Sequence, residues 1–416
     1  MGNSIHNYFD LLQSVNPYKV ALIEDGTAYT YGELVKLACD MAAKIKRNCF
    51  YKRVHIIQEK NILNQLIQFF ACNALGIIPV IVPFDIKLMP DIGNVPENVC
   101  MAVMTSGTTG IPKLLYRTYK SWADFFPVQN KIFGIDEKSV LFAQGSLAFT
   151  GNMNLYMAQF YAGGTVVAQN QFNPKRWAYV IEKENVNAVY LIPSKLKLLP
   201  DIFKKPVNSV KSVLSGSQSF GRDDADKLKK IFPMADIILY YGASELSYIT
   251  YVKNKDMIMD NSLVGKPFPG TEIFIRDGKI YASNNCQAEG IKCPYPMPDN
   301  GHIDAQGNLY FDGRSDDIVI VHGRKISLAR IENELEKLEE VYEAAAIFTK
   351  KDNKEIIVAF ISVSQKFKDK NDILNKLRNS LAHYEMPSKI VVLDKMFYNE
   401  SGKKDKLTLA SSYIPK

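Results

Sequence analysis

Apolar residues recur along this chain in two periods, and the switches between them mark its elements. Over 31–47 the apolar positions Leu34, Leu37, Ala38, Met41, Ala42 and Ile45 fall on one face of a helix. Thr30 and Glu33 have the capping-box pattern that satisfies unpaired N–H groups at a helix start. The most apolar stretch, 66–84, carries Gln68, Asn73, Pro79 and Pro83, a composition that a spanning helix of about 20 residues tolerates poorly. It predicts a buried helix, a turn at Gly76 and a short strand. Beyond it, β-rich runs at 100–104, 140–143, 165–168, 188–192, 212–214 and 237–240 alternate with helical patterns such as 174–184 and 222–231. That alternation predicts an α/β fold with a parallel-rich sheet covered by helices. From Gly265 the texture changes to short strands and turns, and the last hundred residues read as a small α+β unit. Its expected parts are a hairpin (318–321 with 325–327), a helix at 328–338, strands at 344–348 and 356–363, and a helix at 372–381. The expected domains are 1–315 and 316–416.

Composition narrows the classes. The 416 residues hold 51 Lys+Arg against 44 Asp+Glu, a net +7 with no dense basic block, which argues against a nucleic-acid arm and suits anionic small molecules. Six scattered cysteines without a CxxC read as reduced thiols, and the first ten residues lack an apolar leader core. A cytoplasmic protein without a membrane span is expected. The five histidines form no HExxH, and no GxSxG elbow occurs.

The strongest local signal is Thr105-Ser106-Gly107-Thr108-Thr109-Gly110-Ile111-Pro112-Lys113, directly after an apolar run. Its glycines permit close backbone approach, while its hydroxyls, successive N–H groups and Lys113 can surround phosphate oxygens. The spacing is not that of a Walker A loop. A Gly/Thr cluster taken alone is more often a polar surface turn, but this ordered string after a strand favours phosphate binding.

At this string the chain resembles the adenylate-forming superfamily: acyl-CoA synthetases, peptide-synthetase adenylation domains and firefly luciferase. Further segments match in the family's order. Tyr240-Tyr241-Gly242-Ala243-Ser244-Glu245 resembles the YGxTE motif; the resemblance implies that Tyr241 stacks on adenine, Ser244 touches phosphate and Glu245 holds Mg²⁺. Gly216-Ser217-Gln218 resembles the adenine-binding turn. Asp299 stands where the family's TGD aspartate bonds the ribose hydroxyls, and Arg314 where GRxDD binds ribose or phosphate, with Asp316 as hinge. Ser401-Gly402-Lys403 resembles the segment whose lysine bridges carboxylate, ribose and α-phosphate, although a lysine in such a sequence is by itself usually a solvated loop charge. Lys403, Glu245 and Thr109 are thus the catalytic residues implied. Gly323, Arg324 and Lys325 fall on the thiol-acceptor side.

Some positions depart from the family pattern. Few residues separate Pro83 from Thr105, TGD becomes Met297-Pro298-Asp299, and Lys325 replaces an arginine, keeping charge without the planar fork. The family's EIE becomes Arg330-Ile331-Glu332.

The resemblance implies a large N-terminal domain, a small mobile C-terminal domain, and use of ATP, Mg²⁺ and CoA or a carrier-protein phosphopantetheine. The segment 142–150, where amino-acid activators carry an aspartate for the substrate amine, has no acid, which disfavours an α-amino acid. Leu147, Phe149 and Met153 suit an apolar acyl channel or, equally, ordinary core. Residues 116–122 resemble bacterial long-chain fatty acid–CoA ligase-like proteins, so a fatty acid ligated to CoA is expected. Loading of a carrier protein is the alternative, and a nucleotide-binding or regulatory protein without full turnover is the alternative of another class.

Overall fold

The helix expected after Thr30 runs over Tyr31–Asn48 in the computed structural model, which describes residues 5–48, 53–86, 88–105, 113–314, 317–321, 324–351, 354–398 and 404–413. Its capping box is closed: Thr30 N donates to Glu33 Oε2 at 2.7 Å, and Glu33 N donates to Thr30 Oγ1 at 3.2 Å. The chain packs as two units. The first comprises Met1–Met257, Pro267–Glu272 and Ser283–Tyr295, and the second Ile258–Lys266, Ile273–Ala282 and Pro296–Lys416.

The main sheet of the first unit runs Ser247–Lys253, Asp236–Ala243, Ser212–Gly216, Ala188–Tyr190, Val140–Gln144, Thr165–Gln169, Val20–Glu24 and Thr27–Thr30 in spatial order. All inner pairings are parallel, and only the two outermost strands run antiparallel. Every residue of Thr165–Gln169 and Ser212–Gly216 is buried, as expected of parallel strands covered on both faces. A second, four-stranded sheet joins Val54–Ile57, Ile78–Ile81, Met101–Thr105 and Lys113–Arg117, the last pair antiparallel. Between Ile81 and Met101 the described residues form no helix or strand, only an isolated bridge from Asp91 to Lys113.

Helix Ile62–Ala74 feeds that second sheet, and its start is fastened from a distance. Asn61 Oδ1 accepts from Asn64 N at 3.0 Å, while the two earlier N–H groups, of Ile62 and Leu63, donate to the Glu24 carboxylate at 2.9 and 2.8 Å. Glu24 is 6% exposed, and burial raises its pKa against the lowering effect of these two bonds.

In the second unit, Glu272–Arg276, Lys279–Ser283, Tyr295–Ile303, Leu309–Arg314 and Leu263–Pro267 lie side by side in that order. The hairpin Ile318–Val321 with Arg324–Ser327 leads into helix Leu328–Glu336, which starts ahead of a sheet of Val341–Lys351, Lys354–Val363 and Lys389–Leu393. The unit also takes in strands ahead of residue 315; Ser327 Oγ donates to the Asp312 carbonyl at 2.9 Å, tying the helix start to one of them. No helix among the described residues is long and apolar enough to cross a membrane.

Replacing Glu24 leaves two helix-start N–H groups without an acceptor, one buried and one part-buried. Glu24→Ala is expected to lower stability by about 2–3 kcal/mol, read as a fall in the urea midpoint, whereas Glu24→Gln, which retains an acceptor oxygen, is expected to lose less.

Candidate active site

Four adjacent parallel strands end at one edge of the main sheet: Val140–Gln144, Ala188–Tyr190, Ser212–Gly216 and Asp236–Ala243. Ligands of open α/β sheets bind at the carboxyl ends of strands, and three of the segments singled out from the sequence, 142–150, 216–218 and 240–245, lie there. Gly216 ends the third strand, and a Cβ on it would stand 2.6 Å from the Tyr240 ring, so only glycine fits. Ser217 follows at φ +71°, a left-handed conformation uncommon for a residue with a side chain. Gln218 turns back, its Oε1 accepting from Ser194 N at 2.9 Å. Tyr240 is buried, its hydroxyl 3.0 Å from that of Tyr190, while Tyr241 is only partly covered. Gly242 lies where a Cβ would come within 2.3 Å of the Ser247 carbonyl oxygen, a closeness set by the turn that carries Ser244 and Glu245.

That turn is anchored by a residue within 116–122 to which the sequence assigned no role. Arg117 is 0% exposed, at the end of the strand that starts with Lys113. Its Nη2 donates to the Ser244 carbonyl at 2.5 Å, and its Nη1 to the Cys286 carbonyl at 2.8 Å; the guanidinium carbon lies 5.1 Å from the centre of the Trp122 ring. Burial pushes the guanidinium down to about 10, an effect opposed by nearby Tyr8, Cys286 and Glu245, so it remains charged at neutral pH. Trp122 is itself fixed by its Nε1–H bond to Ser247 Oγ at 2.7 Å, on the far side of the same turn. The Glu245 carbonyl accepts from Ala288 N at 2.8 Å, and Ser244 Oγ lies 3.3 Å from Thr150 Oγ1.

Register sets Thr105 opposite Lys113, so the two ends of the glycine-rich segment face each other across a strand pair. Ser106, Gly107, Thr108, Thr109 and Gly110 lie outside the described residues. Gln65 holds the segment after Gln144, its Oε1 accepting from Leu147 N at 2.9 Å and its Nε2 donating to Ser146 Oγ at 3.0 Å. Leu147 and Met153 are buried in the main core beside Phe69, Ile81 and Val103, and Phe149 is half-buried at the start of helix Thr150–Tyr161.

In the second unit, Asp299 and Arg314 are cross-strand partners, with Arg314 Nε 3.3 Å from a largely buried Asp299 Oδ1. Asp316, Gly323 and Lys403 lie outside the described residues, and Arg324 and Lys325 begin the second strand of the hairpin. The chain just beyond Lys403 is held firmly. Lys404 Nζ lies 2.5 Å from Glu336 Oε1 and also donates to the Ala344 carbonyl. Lys406 Nζ lies 2.8 Å from Asp317 and 2.9 Å from Glu332. Glu332, kept where the family's EIE is otherwise altered, also accepts from Ala346 N at 2.8 Å.

Sequence comparison gives the family. The AMP-binding enzyme family matches residues 84–285, and the AMP-binding enzyme C-terminal domain matches 330–403. The chain belongs to the adenylate-forming superfamily. It is an AMP-forming acid–thiol ligase by enzyme class. Among its relatives, a putative long chain fatty acid-CoA ligase VraA of Staphylococcus epidermidis is 26% identical over 96% of either chain. A D-alanine–D-alanyl carrier protein ligase of Lactococcus lactis is also 26% identical, over 74% of this chain and 69% of its own. The fold is that of o-succinylbenzoate CoA synthetase from Bacillus subtilis in complex with ATP and magnesium ion, with a TM-score of 0.82 at 19% identity over 96% of this chain and 98% of that one.

The residues present suit what adenylate-forming enzymes hold. Tyr241 is only partly covered, as a ring that packs on a flat base would be, and in the second unit Asp299 is a largely buried carboxylate beside Arg314. Glu245 is a single hard oxygen donor, in keeping with a magnesium ion that retains most of its waters and ligand phosphates; no group of three or more His, Cys, Asp or Glu able to hold a metal occurs among the described residues. Arg117 was missed because one arginine in Tyr-Arg-Thr-Tyr-Lys carries no spacing signal. Only the contacts at residues 244 and 286 reveal its part.

Arg117→Lys cannot bond both carbonyls and leaves one buried without a donor. A loss of about 3 kcal/mol in stability and at least about a tenfold fall in ATP–pyrophosphate exchange are expected, measured on the same preparation by thermal unfolding and by exchange. For Lys404, burial alone would lower the ammonium, but Glu336, Glu332 and Glu343 outweigh it and hold its pKa above the ordinary value; Lys406 is raised in the same way by Glu332 and Asp317. A raised folded-state pKa stabilises fully below the unfolded value of about 10.4 and is lost as pH climbs through the folded one. Denaturant midpoints of the second unit are therefore expected to fall above about pH 10.4, and less steeply in Lys406→Met.

Proposed function

We propose that this enzyme activates a carboxylic acid with Mg·ATP, forming an acyl-adenylate and pyrophosphate, and then transfers the acyl group to a thiol, with a fatty acid as the acid and CoA as the acceptor. The observation that carries the adenylation step is the grouping of Gly216–Gln218 and Tyr241–Glu245 at the carboxyl ends of adjacent parallel strands, with the Glu245 turn fixed by the buried Arg117. The similarity to VraA supports the fatty acid and CoA.

Tyr241 would stack on adenine beside the Gly216–Gln218 turn, and Thr105 and Lys113 would begin and end the phosphate-binding segment, with Thr109 within it. Glu245 would hold the magnesium ion, which supplies positive charge to the departing pyrophosphate. Asp299 and Arg314 would bind the ribose. The substrate carboxylate attacks the α-phosphorus while Lys403 neutralises charge on the meeting oxygens, so the rate comes chiefly from orientation and charge stabilisation. Rearrangement about Asp316 would then bring Gly323, Arg324 and Lys325 to the thiol. The similarity to a carrier protein ligase favours a second reading of the acceptor, a carrier-protein phosphopantetheine in place of CoA.

Carboxylate-dependent ATP–pyrophosphate exchange is the test. The enzyme is expected to exchange with fatty acids, and Lys403→Ala to lose at least about a hundredfold, with thioester then detected on CoA. Thioester found on carrier protein alone would move the acceptor. ATP binding without exchange across fatty, aryl and amino acids would overturn the reading in favour of a nucleotide-binding protein without turnover.

A further inference from the structure

Lys195 stands in the short helix Pro193–Leu196, just past the carboxyl end of Ala188–Tyr190, the strand between those that end at Gln144 and at Gly216. Its Nζ is 3.9 Å from the point a Cβ on Gly145 would occupy, and Gly145 is the first residue beyond Gln144. The side chain is partly buried, yet its ammonium has no hydrogen bond or ion pair to any described residue. Two other lysines close to this sheet are matched: Lys197 lies 3.5 Å from Asp224, and Lys253 2.8 Å from Asp236. Burial alone drives the Lys195 ammonium down to about 8, and no neighbouring acid offsets it.

Lys195 is also held in place. Ser194 N bonds Gln218, and Ser215 Oγ donates to the Leu191 carbonyl at 2.8 Å, so its helix is fastened to the turn expected to hold adenine. A desolvated, unmatched cation fixed at the ligand edge of a sheet costs stability unless its counter-charge arrives with a ligand. The segment it faces, from Gly145 to Thr150, contains no acid, and no described residue supplies one there.

We infer that Lys195 is a specificity-determining residue that pairs with a second carboxylate on the substrate, so that the acid activated is a dicarboxylic acid. This rests on the adenylation reading above and narrows its acid, replacing the plain alkyl terminus of a fatty acid with an anionic one. The carboxylate that attacks ATP and the carboxylate that meets Lys195 are opposite ends of one molecule.

Exchange measured with adipic, suberic and sebacic acids against hexanoic, octanoic and decanoic acids separates the cases. The wild type is expected to favour the diacid of matched length by about tenfold or more in kcat/KM, a preference that collapses in Lys195→Met, through KM for the acid, and returns in Lys195→Arg. Equal ratios in wild type and Lys195→Met, or a wild-type preference for the monoacids, would overturn the inference while leaving adenylation intact. A Lys195→Met defect confined to KM for ATP would overturn it too, assigning the ammonium to the nucleotide phosphates. Absence of exchange with every acid would sink the adenylation reading and this inference with it.

Discussion

Neighbouring strands that all run one way must all release their chains at the same edge, and that constraint builds the candidate active site of this enzyme. The residues expected to meet the nucleotide and the acid come from segments scattered between 144 and 245, with no pattern joining them in sequence. Parallel pairing gathers them without any contact between one another being needed. Burial of Thr165–Gln169 and Ser212–Gly216 on both faces then makes the arrangement stiff, because a slip of one residue would mismatch the close packing against both covering layers.

On that edge the polar chemistry is held by main-chain bonds more than by side-chain pairs. Arg117 grips two carbonyls, Glu24 two amides, and Gln65 both a hydroxyl and an amide. Each is a buried or nearly buried polar group that would be costly alone and becomes a fastening once its partners are in place. The second unit uses the same device with full charges, as Lys404 and Lys406 close on Glu336, Glu332 and Asp317 around the segment that follows Lys403.

Where burial alternated cleanly, the elements could be read from the sequence. Helix Arg222–Ile231 and strands such as Val140–Gln144 fall where periodicity put them, to within a residue or two. Helix Thr150–Tyr161 escaped, because it is buried nearly all round and its Asn152, Asn154 and Gln159 break the apolar stripe. Asn152 and Gln159 are inside because they serve loop carbonyls: Asn152 those of Gln144 and Ser146, Gln159 that of Ser139. The hairpin of Val20–Glu24 and Thr27–Thr30 did carry a signal, Asp25-Gly26 at φ +50° and +84°, which the reading did not use. Edge strand Lys389–Leu393, with only Ile390 buried, gave no clean alternation. In the site, glycines and motif residues were legible because their spacing is local. Arg117 and Lys195 were not, since what sets them apart is the presence of distant carbonyls around one and the absence of acids around the other.

The Arg117 grip has an uneven consequence for how the sequence can drift over generations. Its acceptors at residues 244 and 286 are peptide oxygens, which every amino acid provides, so those positions can exchange side chains without surrendering the bond. At 117 no other residue type offers a permanent charge with a planar fork of donors. A comparison of descendants should therefore find variety at both ends of the clasp and monotony at its middle.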